Sequence, residues 1–167
     1  MIQINLKSHI DNFFNEKSVP DDSKPKCVII TGGVGSGKTT IRKKSFSEDY
    51  VVIDANEIYR NLNKETGKDF DQLQDFINSI GQSIAKRAVD ERRNISVEII
   101  GDSSDKTTAI VDAFTRNNYE VKVNFVHCDL VESRRRHLKA VEEDPLYISC
   151  YFTQDMHINW ILQAFKK

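Results

Sequence analysis

The chain has 167 residues, enough for one domain with a real hydrophobic core. Its apolar fraction of 39% and charged fraction of 29% are typical of a soluble globular protein, and no apolar run approaches the length of a membrane-spanning helix. The net charge of −1 creates no overall field toward nucleic acid or an anionic membrane, so neither is an expected partner.

A cytoplasmic location is predicted from the first residues and from the cysteines. Residues 1–7 lack the apolar core of a signal peptide. The cysteines show no metal-binding spacing, and Cys27 and Cys128 lie in strand-like runs, where a buried free thiol is more common than a disulfide. Free thiols are typical of a reducing compartment.

The chain begins with a predicted helix, a linker and a strand. Apolar side chains recur at helical spacing over residues 5–16, within an N-terminal segment 1–18: Leu6, Ile10, Phe13 and Phe14. Residues 19–25 are polar, contain two prolines and form a predicted linker. Residues 27–31, with the sequence CVIIT, are apolar and β-branched, which predicts a buried strand.

Residues 32–40, GGVGSGKTT, match the phosphate-binding pattern G-x-x-x-x-G-K-[ST] between this strand and a predicted helix. The glycines let successive backbone N–H groups curl around a phosphate, and the helix directs its positive end at the same anion. We expect Lys38 to reach the β- and γ-phosphates and the Thr39 hydroxyl to bind Mg²⁺. The alternative is a structural glycine turn that binds nothing. The predicted nucleotide-binding residues are Gly32, Gly33, Val34, Gly35, Ser36, Gly37, Lys38, Thr39 and Thr40.

The remaining segments alternate between strands and helices. The predicted strands cover residues 50–54, 95–100 and 119–128. The predicted helices cover a short stretch from Asn56 to Asn61, a long amphipathic stretch over 70–88, a helix around 109–114, a charged helix over 130–142 and a last helix around 158–165. Pro145 begins an irregular, lid-like segment.

This alternation predicts an α/β fold of three layers, with a central, mostly parallel sheet and helices on both faces. We expect one domain over residues 1–167, with the sheet and phosphate loop in 26–128 and the charged helix, lid-like segment and last helix in 130–167. Ligands bind at the carboxyl ends of parallel strands. The phosphate loop, Asp54 and Glu98 are therefore expected at one edge of the sheet.

Three polar side chains at this edge are candidates for chemistry. Asp54 could hold Mg²⁺ through water or act as a base, or it could only cap the following helix. Asn56 could contact an acceptor hydroxyl or be the helix cap itself. Glu98 lies in a strand that is buried on both faces, so its charge needs a cation, a metal or a substrate. Asp102, in the loop after that strand, is the competing candidate.

The charged helix carries three consecutive arginines, which helical spacing points in three directions. Arg134 or Arg136 could stabilise the charge on a transferring phosphoryl group. The alternative is a solvated helix face paired with Glu132, Glu142 and Glu143. Arg42, one turn into the phosphate-loop helix, is expected to be solvated or to pair with the edge of the sheet.

The sequence resembles the zeta-toxin family of P-loop kinases over residues 26–145. The resemblance rests on GGVGSGKTT at 32–40, VVIDANEI at 51–58, the strand bearing Glu98, Asn118-Tyr119-Glu120 before the fourth strand, and Glu143-Asp144-Pro145. It implies ATP- or GTP-dependent, Mg²⁺-dependent phosphorylation of a hydroxyl on a nucleotide-activated amino sugar such as UDP-N-acetylglucosamine. It also implies a protein antitoxin or regulator as a partner.

Three departures from the family pattern affect the acceptor half of the site. The family's general base is an aspartate where this chain has Asn56, which cannot take a proton at neutral pH. The segment 146–151 has no lid arginine, and no fifth strand follows it. The leading hypothesis is transfer of the γ-phosphate to a small-molecule hydroxyl by Lys38, Asp54, Asn56, Glu98 and Arg134 or Arg136. The alternative is a nucleotide-binding regulatory module that has lost catalysis.

Overall fold

The structure, a computed structural model, describes residues 3–20 and 24–167. Its strands are β1 (Lys26–Thr31), β2 (Val51–Ile53), β3 (Ile95–Ile99) and β4 (Glu120–Phe125). Its α-helices are α1 (Leu6–Asp11), α2 (Lys38–Ser45), α3 (Ala55–Thr66), α4 (Phe70–Asp90), α5 (Ser104–Arg116), α6 (Leu130–Glu143) and α7 (Cys150–Ala164). A single turn of 3₁₀-helix covers Glu16–Ser18.

The four strands form one parallel sheet in the order β2-β3-β1-β4. Every residue of β3 is buried, because β3 lies between two strands and helices cover the sheet. The register pairs Ile30 of β1 with Glu98 of β3, which brings Glu98 level with the end of β1 and the start of the phosphate loop. The predicted α/β fold with a central parallel sheet is confirmed.

The hydrophobic core lies between the sheet and helices α3, α4, α5 and α7. Gly81 of α4 allows α7 to approach closely, because a Cβ atom on Gly81 would lie 2.5 Å from three ring atoms of Trp160. Trp160 is one of the largest fully buried side chains, and its indole N–H donates to Asn78 Oδ1 at 3.2 Å. The C-terminal helix is therefore fixed against the long helix beside the site.

Several helix boundaries differ from the sequence prediction. The N-terminal helix ends at Asp11 rather than at residue 16. Helix α3 extends to Thr66 rather than to Asn61, and Gly67 ends it with a φ of 69°. Of the two candidate caps, Asp54 and Asn56, the N-cap is Asp54. Helix α7 begins at Cys150, within the segment expected to be irregular, and Ser149 caps it through a bond from the Tyr151 N–H.

The fourth strand is the least buried part of the sheet. It ends at Phe125 rather than at residue 128, so Cys128 is half-buried and lies outside it, whereas Cys27 in β1 is fully buried as expected. Part of the predicted linker, residues 21–23, lies outside the described residues, as do residues 1 and 2 of the N-terminal segment. No helix among residues 3–20 and 24–167 is long and apolar enough to cross a membrane.

Candidate phosphate-binding and phosphotransfer site

The phosphate loop connects the carboxyl end of β1 to the first turn of α2. Gly35 and Gly37 have φ angles of 76° and 104°, which other residues rarely adopt, and a Cβ atom on Gly35 would overlap the carbonyl oxygen of Ser133 in α6. No side chain caps the N-terminus of α2 at Gly37. The first-turn N–H groups of this helix therefore face outward as donors for an anion.

Two further features of the loop fit a phosphate chain. The Ser36 hydroxyl is buried and has no hydrogen-bond partner within the described part of the chain. The Lys38 ammonium donates to the carbonyl oxygens of Gly32 and Gly33, at 2.6 and 2.8 Å. Burial lowers the pKa of Lys38, although the charge of Glu98 opposes this effect. The loop carbonyl oxygens carry no formal charge. A bound phosphate would supply the negative charge that the buried ammonium lacks.

A cavity of about 750 Å³ lies over the loop and the carboxyl ends of the strands. It brings together most of the predicted site residues from α2, β2, α3, β3 and α6. These are Val34, Gly35, Ser36, Gly37, Lys38, Thr39, Thr40, Asp54, Asn56, Glu98 and Arg136. Three predicted residues do not line it, namely Gly32, which is buried, and Gly33 and Arg134, which line a neighbouring cavity.

Glu98 is 5% exposed and both of its carboxylate oxygens have partners. Thr39 Oγ1 donates to Oε1 at 2.9 Å, and Arg42 Nε donates to Oε2 at 2.7 Å. Asp102, the competing candidate, is exposed, accepts a bond from Gln154 and does not line the cavity. The expectation that the buried Glu98 needs a cation is met by Arg42.

Arg42 is only 2% exposed, so of the two expected alternatives the solvated side chain is excluded and the pairing at the edge of the sheet is found. Its Nη2 donates to Asp54 Oδ2 at 3.0 Å and contacts Glu57 Oε1 at 3.3 Å, in addition to the Nε bond to Glu98. Burial disfavours the charged guanidinium, but Asp54 and Glu98 outweigh this effect and raise the pKa of Arg42. One arginine on α2 thus joins carboxylates from β3, from the end of β2 and from α3.

The residues present fit a magnesium ion bound together with a nucleotide. Thr39 supplies a hydroxyl, and Glu98 and Asp54 supply carboxylates beside it. No group of three or more His, Cys, Asp or Glu side chains in residues 3–20 and 24–167 is arranged to hold a metal by itself. Mg²⁺ at phosphate sites takes one or two protein ligands and completes its shell with water and phosphate oxygens, so a sparse donor set is expected.

Asp54 has two structural roles, whatever its chemistry. Its Oδ1 accepts the N–H of Asn56 at 2.8 Å, which caps α3, and its Oδ2 pairs with Arg42. In the sequence prediction, capping of the following helix was the alternative to a role in the site. The structure shows that Asp54 caps α3 and also lines the cavity. Both oxygens of Asp54 therefore hold structural contacts, and each keeps a second lone pair.

Asn56 is the second residue of α3 and bonds through both ends of its amide. Its Oδ1 accepts from Arg60 Nε at 2.6 Å, and its Nδ2 donates to the Ile148 carbonyl oxygen at 3.2 Å. This orientation is fixed, because a guanidinium only donates and a carbonyl oxygen only accepts. Arg60 also pairs with Asp144 and lowers the pKa of that carboxyl. Asn56 and Arg60 therefore tie α3 to the segment before α7.

The three arginines of α6 separate as their helical spacing predicts. Arg135 and Arg136 both pair with Glu132, and these bonds lower the pKa of Glu132 to about 2. Arg136 also lines the main cavity, where its Nη1 lies 3.8 Å from the place of a Cβ on Gly37. Arg134 lines a second cavity of about 520 Å³ beside Phe125 and His127, whose rings stack.

Among the cavity-lining residues that no sequence motif covers are Arg60, Cys150 and His157. His157 bridges two elements, because its Nε2 accepts the N–H of Ala55 and its Nδ1 donates to the Glu98 carbonyl, both at 2.9 Å. Burial raises the pKa of Cys150 to about 12. The one sequence signal for Cys150 and His157 is the helical spacing of the polar side chains in α7, which indicates that a polar face of this helix could reach the site.

Comparisons with known proteins agree with this geometry. A dephospho-CoA kinase from Streptococcus mutans serotype c is 30% identical over 100 residues, which cover 58% of this chain. The chain spans about half the length of that relative, 49%. A solved structure from the PezAT chromosomal toxin–antitoxin system of Streptococcus pneumoniae superposes with a TM-score of 0.60. It is 22% identical, and the alignment covers 95% of this chain and 67% of that one.

The sequence also matches the Zeta toxin family over residues 10–166, nearly its whole length. The match includes the phosphate loop, the strands that carry Asp54 and Glu98, and the helix that carries Arg136. The likeness to the solved structure shows a shared fold. The chain therefore belongs to the Zeta toxin family.

Proposed function

We propose that this protein binds ATP or GTP with Mg²⁺ and transfers the γ-phosphate to a hydroxyl of a small-molecule acceptor. The observation that carries the proposal is the uncapped N-terminus of α2 beside the buried Lys38, at the floor of a cavity that Glu98 and Asp54 also line. Backbone donors, a cation and carboxylates at the end of a parallel sheet form a phosphate and magnesium site.

In the proposed mechanism, the loop N–H groups and the Ser36 hydroxyl bind the phosphate chain. Lys38 moves from the carbonyl oxygens of Gly32 and Gly33 to the β- and γ-phosphates. Thr39, with Glu98 or Asp54, would hold Mg²⁺, which neutralises charge on the phosphates when bound. Arg136 faces the same cavity from α6 and stabilises the equatorial oxygens of the transferring group.

The second cavity is suited to the nucleoside. It adjoins the main cavity along Val34 and Ser36, so a nucleotide could extend from one to the other. The stacked Phe125 and His127 rings offer a flat face for a base, and Phe125 is 71% exposed. Arg134 lies at the same cavity and suits the base or ribose rather than the γ-phosphate.

The acceptor is proposed to bind in the part of the main cavity that Asn56, Arg60 and Tyr147 line. Membership of the Zeta toxin family supports a nucleotide sugar, and the kinase relative supports phosphotransfer in general. Because Asn56 cannot take a proton, we expect transfer to be slow. Positioning and charge stabilisation supply most of the rate in phosphoryl transfer, so a missing base reduces the rate without abolishing it.

The second candidate is a nucleotide-binding regulatory module without catalysis. The bonding of Asn56 favours it, because both ends of this amide serve the contact between α3 and the segment before α7. A protein antitoxin is a proposed partner in either case, since the solved relative comes from a toxin–antitoxin system.

Transfer of labelled γ-phosphate separates these candidates. ATP and GTP with Mg²⁺ are offered with nucleotide sugars, nucleosides and oligonucleotides, and labelled products are separated and identified. We expect a labelled nucleotide sugar that depends on the protein, on Mg²⁺ and on Lys38, with Lys38→Ala as the control. Nucleotide binding without transfer to any acceptor would favour the regulatory module, and neither binding nor transfer would refute both candidates.

A further inference from the structure

The helix that follows the phosphate loop has almost no apolar anchor. Only Lys38 and Arg42 are buried in α2, and its one large apolar residue, Ile41, is 39% exposed. A surface helix ordinarily packs through an apolar stripe. The interior contact of α2 is instead the guanidinium of Arg42, on the helical turn that follows Lys38.

Arg42 makes its contacts with three different elements of the site. Its Nε bonds Glu98 in β3, and its Nη2 reaches Asp54 after β2 and Glu57 in α3. The side chains of Arg42, Asp54 and Glu98 are all at least nine-tenths buried. One planar guanidinium with several N–H donors can hold two carboxylates in fixed directions, which a lysine ammonium cannot do in the same geometry.

The contact with Glu98 extends directly to the predicted magnesium ligand. Glu98 Oε2 accepts from Arg42, and its other oxygen accepts from the Thr39 hydroxyl. If Arg42 were replaced by a shorter side chain, or by one without the planar guanidinium, Glu98 would be free to rotate away from Thr39.

We propose that Arg42 is the positioning residue of the magnesium site, which it builds by anchoring α2 and holding Glu98 against Thr39. The proposal rests on the proposed nucleotide-binding function. Arg42 touches neither nucleotide nor acceptor, since it lies behind the loop and does not line the cavity. A change at Arg42 is therefore expected to alter the Mg²⁺ dependence of nucleotide binding rather than the affinity for nucleotide without Mg²⁺.

The test is the Mg²⁺ dependence of nucleotide binding in Arg42→Lys. Binding of a fluorescent ATP analogue is measured in EDTA and over a Mg²⁺ titration, for the wild type, Arg42→Lys, Lys38→Ala and Lys44→Gln. Changes in residues that orient metal ligands typically cost about 10–100-fold in metal affinity. We expect Arg42→Lys to need ~10–100 times more Mg²⁺ for half of the effect, with binding in EDTA within about 3-fold of the wild type.

The matched variants separate the possible outcomes. Lys44 is an exposed neighbour on α2, so Lys44→Gln should behave like the wild type, while Lys38→Ala should weaken binding with and without Mg²⁺. A wild-type Mg²⁺ response in Arg42→Lys would overturn the proposal and leave the proposed function intact. Loss of folding in Arg42→Lys would also overturn it, because Arg42 would then serve the fold. A wild type that binds no nucleotide would refute the function and this inference together.

Discussion

Asn56→Asp is the substitution that tests the acceptor half of the site most fully. The amide of Asn56 donates to the Ile148 carbonyl at 3.2 Å, and an aspartate would lose that bond. A neutral hydrogen bond of this kind contributes about 0.5–1.5 kcal/mol to stability. The new carboxylate would pair with Arg60, whose side chain is 37% exposed, and such a pair returns about 0–1 kcal/mol.

The two effects nearly cancel, so the variant should stay folded. We expect the free energy of unfolding to fall by ~1 kcal/mol or less, a shift of roughly 2–4 °C in Tm for a chain of this length. One carboxylate oxygen would keep the place of Oδ1 at Arg60. The other would turn away from the Ile148 carbonyl and into the cavity, where a general base is otherwise missing.

The assay is transfer of labelled γ-phosphate to a nucleotide sugar, with nucleotide affinity measured alongside. A positioned base contributes about 10²–10⁴-fold, so Asn56→Asp should raise turnover by that order while leaving nucleotide affinity nearly unchanged. Asn56→Ala is the matched control, since it also breaks the bond to the Ile148 carbonyl but adds no base. Equal gains in both variants would mean that opening of the segment before α7, and not base catalysis, limits the rate.

The opposite result would also be informative. If Asn56→Asp gained nothing while Asp54→Asn abolished transfer, Asp54 would be the working base. That outcome would show that the contacts of Asp54 with the Asn56 N–H and with Arg42 do not prevent it from taking a proton.

Three further predictions follow from contacts in the same region. Glu98→Gln should lower phosphotransfer at least ~10-fold yet remain folded, because Asp54 and Glu57 still neutralise Arg42; full activity, or unfolding at room temperature in a melting curve, would refute it. Gly81→Ala should lower the free energy of unfolding by ~1–2 kcal/mol in denaturant titrations, since its Cβ meets the Trp160 ring and alanine's helix propensity offsets only part of the strain; no loss would refute that contact. Cys150 should alkylate far more slowly than Cys128 at pH 8, because a pKa of about 12 leaves roughly one thiolate in 10⁴; equal rates by mass spectrometry would contradict this.

The loop of the proposed phosphate site was predictable from the sequence, and the contacts around the proposed acceptor site were not. The loop at residues 32–40 matches the phosphate-binding spacing between a predicted strand and a predicted helix, and the strands around it are short apolar runs bounded by polar residues. Parallel strands then place Asp54 and Glu98 at the same edge without further information. The sequence also indicated that a carboxylate buried like Glu98 needs a partner.

The identity of that partner depends on tertiary packing that no local pattern encodes. Arg42 lies in a helix rich in Lys and Arg, where a solvated side chain is the ordinary expectation, and only the rotation of α2 over β3 turns it inward. The sequence left the cap of α3 open between Asp54 and Asn56, because both residue types suit that position. The link from Asn56 through Arg60 to Asp144 spans more than 80 residues, and helix α7 reaches the site from further still.

The central claim is that the loop at residues 32–40 binds a nucleoside triphosphate with Mg²⁺, and thermal melting with and without nucleotide tests it most directly. A ligand at ~100 times its Kd adds about 2.7 kcal/mol to the free energy of unfolding. For 167 residues this corresponds to a rise in Tm of roughly 5–11 °C. We predict this rise with MgATP or MgGTP in the wild type and its near absence in Lys38→Ala. An equal rise in both proteins, or no rise in the wild type, would contradict the claim.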